Sequence, residues 1–460
     1  MINDIMVIVL LNFLVYARTL RFGYVSDDLV VSWKTEPKPR HFIHGLWLQF
    51  WGHRYINTQH AHFMTLCLHT LNCVLVYVLL RNSPIALITA LFFSVNPVNM
   101  QGGAVWLSGR GYSFATTATL IMFLVPFLAP ILYWCAPYIS PSAFFTPAGF
   151  LGTKWWFWLF LIPVYMKWGA MGKIVNNKIY NHQNKTVNTE MLAIKPSKLI
   201  VFTKSFGYYF NLCLFPFKIG LYHKFLYGFG TNKTDNKKGY ALNKDFWCGI
   251  ITILSILFHV YSYHNLASWG LVWFSVNIAM WCNIRTIQQQ ISERYCYLAN
   301  VGMMVFLAYS IKDFPLVCVG IFSAYLTRLW FIMPSYISDY WIIEYNIHEE
   351  KKLHYPWLMR GVKKFGMGDF KGAFHDWCEA HQHKPYDFKV LYNLSCVSLL
   401  MGDFKNARKF FDEAIKFKYD EIDDDINPLF NALEGEVKKA EEQAVTGKYQ
   451  VDLNKIRVVK

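Results

Sequence analysis

The sequence predicts an all-α protein, a polytopic membrane helix bundle of about ten or eleven spans followed by a short helical repeat domain. Of the 460 residues, 54% are apolar and only 16% are charged, and the apolar residues form many long unbroken runs. Nearer the end of the sequence, a more polar segment repeats at a constant offset. We therefore predict a membrane domain at residues 1–345, a repeat domain with a capping helix at 346–445 and a basic tail at 446–460.

The net charge of +15 lies entirely in the predicted membrane domain. From Glu349 onward 19 acidic and 19 basic residues cancel, which leaves 26 basic against 11 acidic residues in the first 348. A basic excess beside apolar segments is typical of the positive-inside rule and of attraction to anionic lipid headgroups. Alternatively, some of these cations hold a lipid-linked phosphate. Because the basic residues are scattered among apolar runs, we expect no nucleic-acid partner.

The predicted spans follow from the apolar runs in chain order. The first run, at residues 3–16, lacks a basic leader and a small-residue cleavage site, so we interpret it as a retained span. A polar, aromatic-rich loop follows at 26–59, and its composition favours a position at headgroup level. The later spans are predicted at about 60–80, 85–95, 114–134, 155–168, 199–217, 246–261, 266–282, 299–311 and 315–331. Ten cysteines without a Cys-x-x-Cys pair predict neither zinc nor a disulfide framework.

An acidic pair, Asp27 and Asp28, follows the first span by about ten residues. Only eleven of the thirty acidic residues precede Glu349, and two adjacent carboxylates at a membrane exit are costly. We interpret them as the catalytic end of the membrane domain. The alternative is that they only cap a helix or end a loop at the water boundary.

Two histidines in the second span, His62 and His69, are seven residues apart and therefore project from one helical face. Hydrogen-bonded packing or a lining role fits this spacing better than a metal pair.

Further on, Arg110 stands between two glycines at the mouth of a span. It is a candidate ligand for a phosphate or headgroup, or else an interface anchor.

Three adjacent residues before a late span form the last candidate group: Glu293, Arg294 and Tyr295. An ion pair at the surface contributes little to the free energy of folding. We therefore interpret these charges, which stand beside aromatic residues, as lining a binding site. A simple pair at the membrane boundary is the alternative interpretation.

The repeat near the end of the sequence is verified by counting. Gly368, Asp369 and Phe370 recur 34 positions later. The apolar residues Ala373, Trp377 and Ala380 are matched at the same offset by Ala407, Phe411 and Ala414. This is the tetratricopeptide period, and it predicts two antiparallel helix pairs with a capping helix at 427–443. Either the repeats form a groove for a peptide or protein, or they form a structural lid.

Four motifs carry a resemblance to a known family. They are Asp27-Asp28, the pair His62 and His69, the Asn96-Pro97-Val98 turn followed by Gly109-Arg110, and Glu293-Arg294-Tyr295. In residues 1–418 the chain resembles the transmembrane and tetratricopeptide-repeat O-mannosyltransferases and their bacterial relatives, which belong to the GT-C class of glycosyltransferases. The resemblance implies a GT-C-type bundle and transfer of a sugar, such as mannose, from a polyprenyl-phosphate donor to a hydroxyl of a protein or glycan.

The same resemblance implies roles for the candidate residues. Asp27 is the expected base and Asp28 an orienting residue. Donor phosphate or lipid is expected at Arg110, Glu293, Arg294 and Tyr295, with His62 or His69 as hydrogen-bond partners. Adjacent aspartates suit a divalent metal, but basic phosphate ligands make one unnecessary, so metal dependence stays open.

Polyprenyl donors of this class are used on the non-cytoplasmic side, so the active site and the repeat domain are expected there. The brevity of the repeat domain favours a bacterial-type inner membrane over the endoplasmic reticulum. Two other functions remain open, a non-catalytic membrane scaffold that recruits partners through its repeats and a transporter of lipid-linked sugars.

Overall fold

The computed structural model describes residues 1–26, 28, 57–129, 132, 197–221, 223, 242–282, 291–417, 427–444 and 458–459. Over these residues the protein is all-helical, with 81% of them in helices and none in a strand. Asp27, most of the loop at 26–59 and the predicted span at 155–168 lie outside the described residues. The described residues form two compact units, one drawn from 1–221 and 242–342 and the other mainly from Ile343 onward.

The first unit contains nine α-helices among its described residues. In chain order they are α1 Ile2–Tyr16, α2 Thr58–Leu79, α3 Ala86–Val95, α4 Arg110–Leu124, α5 Lys198–Leu214, α6 Lys244–Ser262, α7 Leu266–Ala279, α8 Cys296–Ile311 and α9 Pro315–Ile332. Each predicted apolar run within the described residues is thus confirmed as helical. Short 3-10 helices extend α1 through Arg21, precede α4 at Leu107–Gly109 and precede α8 at Glu293–Tyr295.

Four helical segments of the described chain are long and apolar enough to cross a membrane: Ile2–Arg21, Thr58–Leu79, Lys244–Ser262 and Pro315–Ile337. On α6 and α9 many large apolar side chains stay exposed, including Leu257, Phe258 and Leu316. Apolar surface of this kind is stable against lipid and costly against water. These segments indicate a membrane protein, while the number of ten or eleven spans stays a prediction.

Glycines let two helix pairs of the first unit approach closely. At the α7–α8 crossing, a Cβ atom added to Gly302 would overlap the carbonyl oxygen of Gly270, and a Cβ added to Gly270 would meet that of Gly302. At the α5–α6 crossing, a Cβ added to Gly207 would overlap the backbone of Gly249, and a Cβ added to Gly249 would overlap the carbonyl oxygen of Thr203. Small residues at crossings increase backbone contact, which is the main source of helix association in an apolar solvent.

The second unit is built from helices after the first unit ends. After α10 (Asp339–Glu349), they are α11 His354–Gly366, α12 Phe370–His383, α13 Phe388–Leu400, α14 Phe404–Phe417 and α15 Asn427–Ala444. The starts of α11 and α13 are separated by the offset of the sequence repeat, and so are the starts of α12 and α14. The sequence repeat is therefore also a repeat of helix starts. The helix predicted at 427–443 is confirmed by α15.

The turns inside the two repeats match as well. Gly368 and Gly402 adopt positive φ angles of 82° and 78°, a conformation that side chains disfavour. The aspartate that follows each glycine caps the next helix, since Asp369 accepts from Gly372 N at 2.8 Å and Asp403 accepts from Asn406 N at 3.2 Å.

Replacing Gly302 with alanine tests the close crossing of α7 and α8. We expect Gly302→Ala to lower the free energy of unfolding by about 1–3 kcal/mol, because the added methyl group overlaps backbone atoms of α7. The matched control is Gly320→Ala in α9, where a Cβ meets nothing within 4 Å. Thermal unfolding in detergent should show a lower midpoint for Gly302→Ala only, and equal midpoints would contradict the described crossing.

Candidate functional site

The segment that carries the acidic pair is held by the residues that follow α9. The amide of Gly23 donates to the carbonyl of Ile337 at 2.9 Å, and the amide of Ser26 donates to Asp339 Oδ1 at 2.9 Å. Ser26 has a φ of 53°, in the left-handed region that residues other than glycine adopt rarely. The chain thus makes an anchored turn at residues 23–26, immediately before the acidic pair. We refer to this segment, together with Asp28, as the acidic turn.

Asp28 is fully buried and joins this turn to the start of α4. Its Oδ1 accepts from the backbone N of Ser108 at 2.8 Å and from Ser108 Oγ at 2.5 Å, and its Oδ2 accepts from Val25 N at 3.2 Å. Three donors on one carboxylate favour its ionised form. Asp28 therefore connects two segments that are far apart in the sequence.

Burial raises the pKa of Asp28 to about 7, from an ordinary value near 3.8. The hydrogen bonds from Ser108 and Val25 and the positive charge of Arg110 act in the opposite direction but do not cancel the effect of burial. This carboxyl group consequently changes its charge near neutral pH, where most aspartates stay ionised.

Arg110 is the first residue of α4 and is almost completely buried. Its charge acts on the acidic turn, since it favours the ionised form of both Asp28 and the phenol of Tyr24. The glycine before it is required by packing, because a Cβ at Gly109 would overlap the carbonyl group of Gln101. The predicted Gly-Arg motif therefore combines a close backbone approach with a buried cation beside Asp28.

Arg294 comes to the same turn through an aromatic side chain. Trp106 donates from Nε1 to the carbonyl of Val25 at 3.2 Å, and the guanidinium carbon Cζ of Arg294 lies 5.1 Å from the centroid of the Trp106 ring. A guanidinium above an indole face is a favourable cation–π arrangement. The structure thus links Asp28, Arg110 and Arg294 to the same turn.

Tyr295 and Glu293 have packing roles on either side of Arg294. The Tyr295 ring stacks on Trp281 with centroids 4.0 Å apart, and it also lies 5.4 Å from the Arg294 guanidinium carbon. Glu293 is buried, and its Oε1 accepts from Gly220 N at 2.8 Å. The carbonyl of Gly220 in turn accepts from Gln101 Nε2 at 2.6 Å, so two side chains hold both backbone groups of one residue.

The two histidines of α2 have different surroundings. His62 lies next to the acidic turn, with Nε2 3.5 Å from the carbonyl oxygen of Gly23 and its ring edge-on to Phe22. His69 is fully buried, with Nε2 3.2 Å from the carbonyl oxygen of Ser94 and Nδ1 2.6 Å from Tyr297 Oη. A carbonyl only accepts, so Nε2 of His69 carries the proton and Nδ1 accepts from Tyr297.

His69 therefore belongs to a packed polar network. The hydroxyl oxygen of Tyr297 also accepts hydrogen bonds from Asn72 Nδ2 at 3.3 Å and from Ser113 Oγ at 3.3 Å. Hydrogen-bonded packing, one of the two roles predicted for the pair, fits His69, whereas His62 lies at the candidate site.

Three contributors to the site were not selected by sequence reasoning: Ser108, Gln101 and Gly220. Ser108 stands two positions before Arg110, but its partner Asp28 lies far away in the sequence, so no local pattern identifies it. Gly220 contributes only backbone atoms, which leave no signal in the residue type. Asp27 lies outside the described residues, and within the described part of the chain no three His, Cys, Asp or Glu side chains group as a metal site would.

Comparison with protein-family models, curated proteins and solved structures finds no match for this chain. A function has to be inferred from the residues and their contacts. The site offers a buried carboxyl group that titrates near neutral pH, a buried cation, Arg110, that acts on it, and a second cation, Arg294, on the ring of Trp106. Such a combination suits proton transfer near an anionic group.

The pKa of Asp28 predicts how stability depends on pH. Because the folded pKa exceeds the unfolded one, the folded protein holds this proton more tightly, and stability falls as the pH rises from about 4 to about 7. We expect Asp28→Asn to remove this fall, which amounts to an effect on the order of a few kcal/mol. Thermal unfolding in detergent at pH 5 and pH 8 measures it.

The informative quantity is the difference in thermal stability between pH 5 and pH 8. The stability at a single pH is less informative, since an asparagine at position 28 also alters the hydrogen bonds to Ser108 and Val25 at every pH. The matched control is Asp313→Asn, which changes an exposed carboxylate in the connection between α8 and α9. A pH dependence that is the same in all three proteins would show that Asp28 titrates at an ordinary pKa.

Proposed function

We propose that this protein is a membrane glycosyltransferase of GT-C type, similar to the transmembrane and tetratricopeptide-repeat O-mannosyltransferases. It would transfer a sugar, such as mannose, from a polyprenyl-phosphate donor to a hydroxyl of a protein or glycan acceptor. The observation that carries the proposal is the contact of Asp28 with Ser108, because it joins the acidic turn to the segment that begins with Arg110.

The convergence of distant motifs supports the proposal. The acidic turn is bound through Val25 to Trp106, and Trp106 carries Arg294 on its ring. His62 contacts the same turn at Gly23. Four motifs that are separated by up to 266 positions between Asp28 and Arg294 thus meet around one turn, as residues of a common site would.

Asp27 is the proposed base, and Asp28 is a positioning residue. The acceptor hydroxyl gives its proton to the Asp27 carboxylate while its oxygen forms a bond to the anomeric carbon of the sugar, and the bond from that carbon to the phosphate oxygen breaks. A single displacement of this kind inverts the anomeric configuration.

The departing polyprenyl phosphate takes the bonding electrons and gains negative charge. Arg110 and Arg294 are the proposed stabilising groups, because fixed cations in a partly dehydrated site need little reorganisation when that charge appears. A guanidinium also matches phosphate oxygens with two parallel donors. Glu293 and Tyr295 would act on Arg294 through packing, and no metal is needed for these steps.

The second unit is proposed to be a short tetratricopeptide-repeat domain. The equal offsets of its helix starts and of its glycine turns support this. Its proposed role is to hold the acceptor, with the active site and the repeats on the non-cytoplasmic side of a bacterial-type inner membrane. The four membrane-length helices support a location in a lipid bilayer.

Replacing Asp27 with asparagine tests the catalytic proposal. We expect Asp27→Asn to reduce transfer by at least about 100-fold, because the carboxamide accepts no proton at neutral pH. The assay uses purified protein, a polyprenyl-phosphate sugar and candidate acceptors, with mass spectrometry of the products. Asp313→Asn is the matched control and should leave transfer unchanged. Transfer that survives Asp27→Asn would exclude Asp27 as the base.

Two other functions give different outcomes in this assay. A membrane scaffold would neither bind the donor nor turn it over. A transporter would bind the lipid-linked sugar and move it across vesicles without forming a product in the presence of any acceptor.

The cation that stacks on Trp106 provides a separate test. We expect Arg294→Gln to lower kcat by roughly 100-fold, since one stabilising donor to the phosphate is lost, and Arg294→Lys to recover part of the loss. Arg18→Gln is the control, because Arg18 also lies on a tryptophan, with its guanidinium carbon 3.9 Å from the Trp330 ring centroid. An equal loss in both variants would indicate a structural role for Arg294.

A further inference from the structure

Two arginines at the end of the first apolar segment share one helical face. Arg18 and Arg21 lie in the 3-10 helix Ala17–Arg21, which continues α1. Residues three positions apart are eclipsed in a 3-10 helix, so the two side chains project in the same direction. Neither arginine forms an ion pair with a carboxylate in the described part of the chain. The end of α1 thus carries two positive charges side by side.

Arg18 is held in place by residues at the end of α9. Its Nη2 donates to the carbonyl oxygen of Trp330 at 2.6 Å, and its Nε donates to Met333 Sδ at 3.1 Å. Its guanidinium carbon lies 3.9 Å from the centroid of the Trp330 ring. Since a guanidinium has five N–H groups, further donors remain for an anion. The cation is therefore positioned before a ligand arrives, which lowers the entropy cost of binding.

The face of α1 that leads to Arg18 is apolar and open. Leu10 and Leu14 precede Arg18 by eight and four positions, which places all three on one helical face. Leu10 is 57% exposed and Leu14 is 78% exposed. On α9, half of Trp330 and 74% of Phe331 are exposed as well. Such a surface is costly in water, whereas the acyl chains of lipids cover it.

The charges on this part of α9 have one sign. From residue 315 to residue 338 the only charged residue in the sequence is Arg328. The first carboxylate after it, Asp339, accepts from the amide of Ser26. A phosphate group matches such a surface, because a guanidinium binds two phosphate oxygens with parallel donors. A tryptophan beside the cation is typical of the headgroup level of a bilayer.

We propose that Arg18, Arg21 and Trp330 bind the headgroup of an anionic bilayer phospholipid. The acyl chain of that lipid lies on Leu10 and Leu14. A zwitterionic lipid also brings a phosphate, but its own cation would lie beside the two guanidinium groups. The site therefore selects a headgroup of net negative charge, which a general interface anchor does not do. The proposal does not depend on sugar transfer, in which neither arginine takes part.

Lipid binding to the purified full chain tests the proposal. Native mass spectrometry in detergent measures the dissociation constants of phosphatidylglycerol and of phosphatidylcholine with the same acyl chains. We expect phosphatidylglycerol to bind at least about fivefold more tightly. The double variant Arg18→Gln, Arg21→Gln should reduce this preference to less than about twofold, because both charges are lost. Equal binding of the two lipids to the unchanged protein would overturn the proposal.

Arg81→Gln is the matched control, because Arg81 is exposed after α2 and also forms no ion pair in the described part of the chain. It should keep the preference for phosphatidylglycerol. Arg18→Lys with Arg21→Lys retains both charges but loses the planar donors, so it should recover only part of the lost affinity. An equal loss in the Arg81 variant, or no loss in the double glutamine variant, would contradict the proposed site.

Arg21→Gln alone guards against misfolding, since the exposed Arg21 side chain makes no hydrogen bond, ion pair or ring contact with the described residues. It should weaken phosphatidylglycerol binding by about threefold, and unchanged binding in this folded variant would overturn the proposal.

Polyprenyl phosphate at the same concentration separates a bilayer lipid from the lipid of the proposed sugar donor. Phosphatidylglycerol should remain bound in this competition. Its displacement would assign the two cations to the donor lipid and would overturn the proposal.

Discussion

The carboxylate of Asp28, buried against Ser108, is the contact on which the candidate site depends. It joins a turn that follows α1 to the segment that begins α4, two parts of the chain that are distant in sequence. Burial of a carboxylate is costly, and three donors and the charge of Arg110 offset only part of that cost. Arg294 reaches the turn through Trp106 and Val25, so its position depends on the same anchor.

Much of the fold follows from local patterns in the sequence. Apolar runs predict the helices α1, α2 and α5 to α9 with errors of a few residues, because burial or lipid contact needs a continuous apolar surface. The constant offset of the repeat predicts the equivalent starts of α11 and α13, and the glycines at 368 and 402 mark turns that require positive φ.

The site is less predictable than the fold, for a physical reason. Asp28, Arg110 and Arg294 are identifiable because charges are rare among apolar segments and therefore conspicuous. Their partners Ser108, Gln101 and Gly220 are residue types that occur everywhere, and only the three-dimensional contact gives them a role. The two histidines of α2 are a further example, since their spacing predicts only that they share a helical face. It does not predict that His69 hydrogen-bonds to Tyr297 while His62 contacts the turn at Gly23.

The close crossing of α7 and α8 lies near the start of α8, next to Arg294. Gly302 meets Gly270 six residues into α8, which is about 9 Å from the first residue of that helix, and Arg294 lies two residues before it. A tilt of about 10° around this crossing would move the start of α8 by about 1.6 Å, given the helix rise. Displacements of about 1 Å can cost an enzyme on the order of 100-fold in rate. Two glycines at a helix crossing are therefore expected to contribute to the position of the Arg294 guanidinium on the Trp106 ring.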